Sequence, residues 1–240
     1  MRRFFLIGLA LELGLGVLGL GMAALFGLDL GAIVAPAGGR GARVAVNAGI
    51  GLLAAIPLLV LFAVALRSEW APLVRIRRML ERTILPQVSG MSLTRVAAIA
   101  ASAGLGEELF FRGFLQSALA GALGTPGAVF VAAGLFGLVH WITPFYALWA
   151  GVIGVYIGAL YALTGGLLAP VVCHAVYDLV ALGFYARRET GGAGAARLHD
   201  GIGRDDTVDE DASHRRAGKA GHLATGVDGG TSDVGQKDDV

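Results

Sequence analysis

Six stretches of this sequence are apolar for about the length that crosses a bilayer: residues 4–27, 44–66, 92–124, 126–142, 145–163 and 166–185. A helix needs about 20 residues to span the hydrocarbon. In lipid each backbone N–H and C=O has to be satisfied within the protein, which leaves helices or closed barrels. Unbroken runs of this length exclude the short alternating strands of a barrel. The runs predict an all-α, polytopic membrane helical bundle of about six transmembrane helices. The 33-residue run 92–124 can also divide near Gly104 and Gly106, which would give seven or eight. Composition agrees: 55% of the residues are hydrophobic and 15% charged, against about a quarter charged in soluble domains.

The net charge of +1 conceals an asymmetry. Residues 1–186 hold 11 Arg, no Lys and 7 acids, whereas 187–240 hold 8 Lys+Arg and 11 acids. The arginines cluster at the ends of the apolar runs: Arg2 and Arg3, then six from Arg67 to Arg95 around the junction of the second and third runs, then Arg187 and Arg188, with Arg40 and Arg43 alone in the first loop. With six spans all three clusters fall on one side, and basic loops are cytoplasmic, so both termini are expected there and residues 28–43 outside. Basic residues confined to membrane edges give no footprint for nucleic acid. The single Cys173 cannot form an intramolecular disulfide. Arginine-only basic content and Ala/Gly richness point to a bacterium of high GC content, and so to its cytoplasmic membrane.

Three segments follow: 1–90 with two spans and a cytoplasmic interfacial stretch, 91–186 as the core, and 187–240 as a polar tail. The tail is Gly- and Asp-rich, and too poor in large apolar residues to bury a core, so it is expected to be disordered. The Arg-Arg start with Ala35-Pro36-Ala37 has the outline of a signal peptide, but the first run exceeds the usual 7–15 apolar residues. Residues 69–85 place Trp70, Leu73, Ile76, Leu80 and Ile84 on one helical face, which suits a helix in the headgroup layer or, equally, a solvated loop. Thr125-Pro126 and Thr143-Pro144 read as helix starts, Thr164-Gly165-Gly166 as a stop, and Gly154–Gly158 as a site of close helix packing.

Few ionisable groups remain at membrane depth: Glu12, Glu107, Glu108, Arg112, His140, His174 and Asp178. Such groups are costly in hydrocarbon and are held there by partners or by a task. Glu108 and Arg112 are spaced i, i+4, in the favourable acid-first order, and pair on one helix face. Glu107 is rotated by about 100° from Glu108 and has no such local partner, which leaves it free to act. His174 and Asp178 are again i, i+4, so that the carboxylate can orient the imidazole. Pro170 removes a backbone bond one turn earlier and can open the helix there. Cys173 points about 100° away from His174, which disfavours thiol chemistry.

Three motifs, Glu107-Glu108-Leu-Phe-Phe-Arg112, Phe136-Gly-Leu-Val-His140 and His174-Ala-Val-Tyr-Asp178, resemble EExxxR, FxxxH and HxxxN/D of the CAAX-processing and bacteriocin-processing intramembrane protease family. This family includes the type II CAAX prenyl endopeptidases. The resemblance covers roughly residues 90–186. It implies a helical membrane fold whose cavity opens to the cytoplasm, and peptide-bond hydrolysis within it. By this likeness Glu107 would be the general base, His140 would hold the same water, and His174 and Asp178 would complete the pocket. Glu108, Arg112 and Phe136 would shape it. Asp178 stands where the prenyl endopeptidases carry Asn, and a carboxylate donates poorly to an oxyanion, so orienting His174 suits it better. Glu107, His140 and His174 could instead hold Zn²⁺ with water in the fourth position, although the HExxH helix is missing. The expected partners are a membrane protein or peptide substrate and the bilayer. Two other readings stand beside this one: a non-proteolytic immunity or binding protein of the same fold, and a proton-coupled transporter.

Overall fold

The structure, a computed structural model, describes residues 2–29, 31, 33 and 40–202. Ala35-Pro36-Ala37 and the chain beyond residue 202 lie outside the described residues. All regular structure among the described residues is helical. In chain order there are α1 (Arg2–Leu25), α2 (Arg40–Arg67), α3 (Ala71–Thr83), α4 (Leu85–Val88) and α5 (Leu93–Glu108). A π-helical segment (Leu109–Gln116) follows, then α6 (Ser117–Val139), α7 (Pro144–Thr164) and α8 (Leu168–Ile202). The chain divides into two units, residues 1–193 and 194–240. The first holds the bundle and the site. Of the second, only the end of α8 is described.

Five helices among the described residues are long and apolar enough to cross a membrane. One of them, Leu93–Val139, runs for 47 residues, about 70 Å at the α-helical rise and far more than one crossing requires. It is broken at Gly124, whose φ of 68° and ψ of 166° leave the helical region. Glycine alone among the residues enters that region without strain. The helix resumes at Thr125-Pro126, as the sequence predicts, so the described chain holds six apolar legs when counted on either side of Gly124. Many large apolar side chains face outwards, including Leu11, Val17, Leu53, Phe130, Val139 and Leu163, as befits helices solvated by lipid. The protein is an integral membrane protein.

Local signals set the other boundaries. The Thr143 hydroxyl accepts from the Tyr146 N–H at 3.1 Å and Pro144 opens α7, which ends at Gly165 in the left-handed region (φ 67°). Because α8 begins at Leu168, Pro170 lies in its first turn, where no N–H bond is lost. It therefore does not open the helix. α8 continues past Arg187 and Arg188 to Ile202.

Residues 71–83 form a helix rather than a loop, but its apolar face does not turn to lipid. Leu73 and Ile76 are buried, and Leu80 and Ile84 pack with Val88, Val96 and Tyr185. Arg75, Arg78 and Arg82 remain exposed. Two contacts gather the basic clusters at one end of the bundle. The Arg95 guanidinium lies 5.9 Å from the ring of Phe5, and Arg188 is 3.5 Å from Glu81.

Glycine permits the closest helix crossing. α1 lies along α5 and the π segment with backbones in contact: a Cβ on Gly106 would collide with the Glu12 carbonyl, and one on Gly19 would come within 2.8 Å of Phe110 backbone. The first helix is thereby locked against the stretch that carries Glu107.

Candidate active site

The motif Glu107-Glu108 ends α5, and winding changes immediately after it. The π segment bonds i to i+5, a wider turn that recurs at functional sites. This winding brings i and i+4 side chains nearer one face and buries Phe111, Arg112, Phe114 and Gln116 together. Glu108 and Arg112, 0% and 1% exposed, pair at 2.9 Å. A second Arg112 nitrogen donates to the Gly154 carbonyl at 3.0 Å, and Gln116 donates to the Gly158 carbonyl at 3.0 Å. Gly154 and Gly158 therefore do more than pack. Their carbonyls receive the polar row of the π segment, and a Cβ on Gly158 would come within 2.8 Å of Gln116 Oε1.

Glu108 has a further partner that the spacing does not reveal. Its Oε1, already bound to Arg112, lies 2.8 Å from His174 Nδ1. A carboxylate only accepts, so Nδ1 donates and Nε2 is turned the other way. Asp178, placed by the sequence as the group that orients His174, lies 3.5 Å from Nε2 instead. Glu108 holds the ring, and it does so across 66 residues of sequence, beyond any i, i+4 rule.

His140 caps α6. Its Nδ1 lies 2.8 Å from the Phe136 carbonyl; a carbonyl accepts, so in the neutral ring Nε2 is left as an acceptor. The Phe136 ring sits under the site, 4.4 Å from the His140 ring, 6.1 Å from His174 and 4.8 Å from the Arg112 guanidinium. This phenyl is the floor on which both imidazoles and the arginine rest.

Between the two histidines stands Glu107. Its Oε1 is 3.8 Å from His140 Nε2 and its Oε2 is 3.8 Å from His174 Nε2. Both gaps exceed a hydrogen bond and leave room for a water reached by acid and imidazole together. Glu107 Oε2 is buried without a hydrogen-bond partner. All seven residues marked by the sequence thus meet at one place. Five of them, Glu107, Phe136, His140, His174 and Asp178, border a cavity of about 360 Å³ that also takes in Glu12, Arg77, Tyr146, Trp149 and Tyr177, while Glu108 and Arg112 are buried outside its lining. Of these, Glu12 carries the one sequence signal that the motifs left unused, an acid inside an apolar run. Cys173 is fully buried in a core cluster with Ala55, Leu58 and Ile157, away from the cavity.

The set named for Zn²⁺, Glu107, His140 and His174, stands with both Nε2 atoms 3.8 Å from the Glu107 oxygens. Zinc binds imidazole nitrogen at about 2.0–2.1 Å, and no group of three or more His, Cys, Asp or Glu among the described residues is arranged to hold an ion. His174 Nδ1 and His140 Nδ1 are held by Glu108 and the Phe136 carbonyl, which leaves both Nε2 atoms turned towards Glu107.

Residues 89–180 match the family model described as type II CAAX prenyl endopeptidase Rce1-like. The match includes all three motifs and leaves out α1, α2 and α3. No curated protein and no solved structure matches the chain.

Proposed function

We propose that this chain, whose residues 89–180 match the type II CAAX prenyl endopeptidase Rce1-like family model, is an intramembrane endopeptidase that activates water on Glu107 without a metal. The observation that carries this reading is the pair of 3.8 Å approaches by which the two Nε2 atoms face the two oxygens of Glu107. Glu108, one residue on, is held through its Oε1 by both Arg112 and His174.

A water between Glu107 and His140 gives one proton to the carboxylate and donates its second hydrogen to His140 Nε2. Its oxygen attacks the scissile carbonyl. His174, with a carboxylate facing each ring nitrogen, donates from Nε2 to the oxygen that becomes negative, as oxyanion donors do. The peptide C–N bond then breaks, and the proton held on Glu107 passes to the departing amine. Asp178 steadies Nε2 of His174, while Arg112 and Phe136 keep Glu108 and the rings in place.

The substrate on this reading is a membrane protein or peptide that reaches a cavity at membrane depth from the side of the arginine clusters, the cytoplasmic face of a bacterial membrane. Incubating the purified protein with a library of membrane peptides, with and without a chelator, tests the proposal. Cleavage unchanged by the chelator is expected. Cleavage that stops with the chelator and returns with Zn²⁺ would replace water activation by Glu107 alone with metal chemistry.

A further inference from the structure

The first helix lies outside the segment that matches the family, yet it contributes an acid to the cavity. Glu12 stands in the middle of α1 and borders the same space as Glu107, His174 and Asp178. Its position is fixed by backbone contact: Gly106, the residue before Glu107, lies against the Glu12 carbonyl so closely that no side chain fits between them. Its electrostatic neighbours are Asp178, His174 and Glu107. Among the described residues its carboxylate has no hydrogen bond and no ion pair.

An unpaired carboxylate inside an apolar helix calls for a counter-charge, and the cations around the cavity among the described residues have other partners. Arg112 is held by Glu108 and the Gly154 carbonyl. Arg77, the arginine of the cavity wall, donates to the carbonyls of Leu66 at 2.6 Å and Ser68 at 3.5 Å. His174 is bound to Glu108. Two further features of the cavity suit a cation. Glu107 Oε2 is buried there without a hydrogen-bond partner, and the rings of Tyr146, Trp149 and Tyr177 line the wall. Aromatic faces beside carboxylates are the setting in which organic cations bind.

We infer that Glu12 forms a subsite for a positively charged substrate side chain, lysine or arginine, close to the scissile bond. The inference rests on the endopeptidase reading, since it names what that cavity accepts. The incoming cation supplies the partner that Glu12 lacks, and desolvation in the cavity strengthens the pair beyond its worth in water. A neutral substrate would leave the carboxylate unpaired beside Asp178.

Binding tests this without relying on turnover. Full-length protein carrying Glu107→Gln, in detergent, is titrated with apolar peptides that differ only in one lysine or norleucine, moved through the central positions. Removing the Glu107 charge leaves Glu12 as the acid under test. At the best position the lysine peptide should bind at least about tenfold tighter, the preference should vanish when Glu12→Gln is added, and Glu12→Asp should keep most of it. Equal affinity for both peptides, or a preference that survives Glu12→Gln, overturns the subsite. The lysine peptide is also offered to the wild-type protein. Binding without cleavage there would sink the protease reading and leave the subsite standing. Cleavage with no lysine preference would do the reverse.

Discussion

Glu107 and Glu108 are adjacent in sequence and both buried, but they have different partners. Glu108 is fully buried, bound to Arg112 at 2.9 Å and to His174 at 2.8 Å, and its charge is needed to keep the arginine in an apolar interior. Removing one member of a buried pair costs about 3–5 kcal/mol, because the other is left unpaired. Glu108→Gln should therefore lower the thermal midpoint in detergent sharply, whereas Glu107→Gln should leave it near the wild-type value. Equal midpoints for the two variants would remove the distinction. This division is legible from the sequence, since i, i+4 spacing joins Glu108 to Arg112 and rotates Glu107 away. The Glu108–His174 bond is not legible, because it depends on how α8 packs against α5. Spacing instead nominates Asp178, which is near in sequence but 3.5 Å away on the other nitrogen.

At the scale of elements, glycine decides where helices touch. A Cβ on Gly106 would strike the Glu12 carbonyl, whereas one on Gly134 would meet nothing within 4 Å. Gly106→Ala should force α1 off α5 and cost about 1–3 kcal/mol, as overpacking does. Gly134→Ala, on an exposed helix face, should stabilise by about 0.5–1 kcal/mol through propensity alone. The pair can be compared by thermal unfolding in one detergent, and a reversed order would contradict the packing described. Helix starts at Thr143-Pro144 and the stop at Gly165 can be read from capping chemistry. The π segment cannot, because nothing in LFFRGFLQ distinguishes i→i+5 bonding from an ordinary helix. Nor does the sequence reveal that the carbonyls of Gly154 and Gly158 are acceptors, since a carbonyl leaves no mark on residue identity.

For the whole molecule, the apolar runs and the arginines together specify an even number of legs with the basic clusters at one end. The contacts of Arg95 with Phe5 and of Arg188 with Glu81 bring those clusters together. Single cysteines in a Cys173→Ala background test the orientation. Ser68→Cys should react with an impermeant maleimide only after the membrane is opened, and Asp29→Cys in intact cells. Reaction of Ser68→Cys from outside would invert the arrangement. The turn at Gly124 is the feature of topology hardest to read, because the apolar pattern continues on both sides of it and only Thr125-Pro126 marks the restart. The claim on which the functional account depends is that Glu107 is the base, and the most direct test is turnover of a cleaved membrane peptide by Glu107→Gln protein that melts with the wild type. General-base catalysis contributes roughly 10²–10⁴-fold, so the account predicts a fall of at least about a hundredfold. Turnover within a few-fold of the wild-type rate would contradict it.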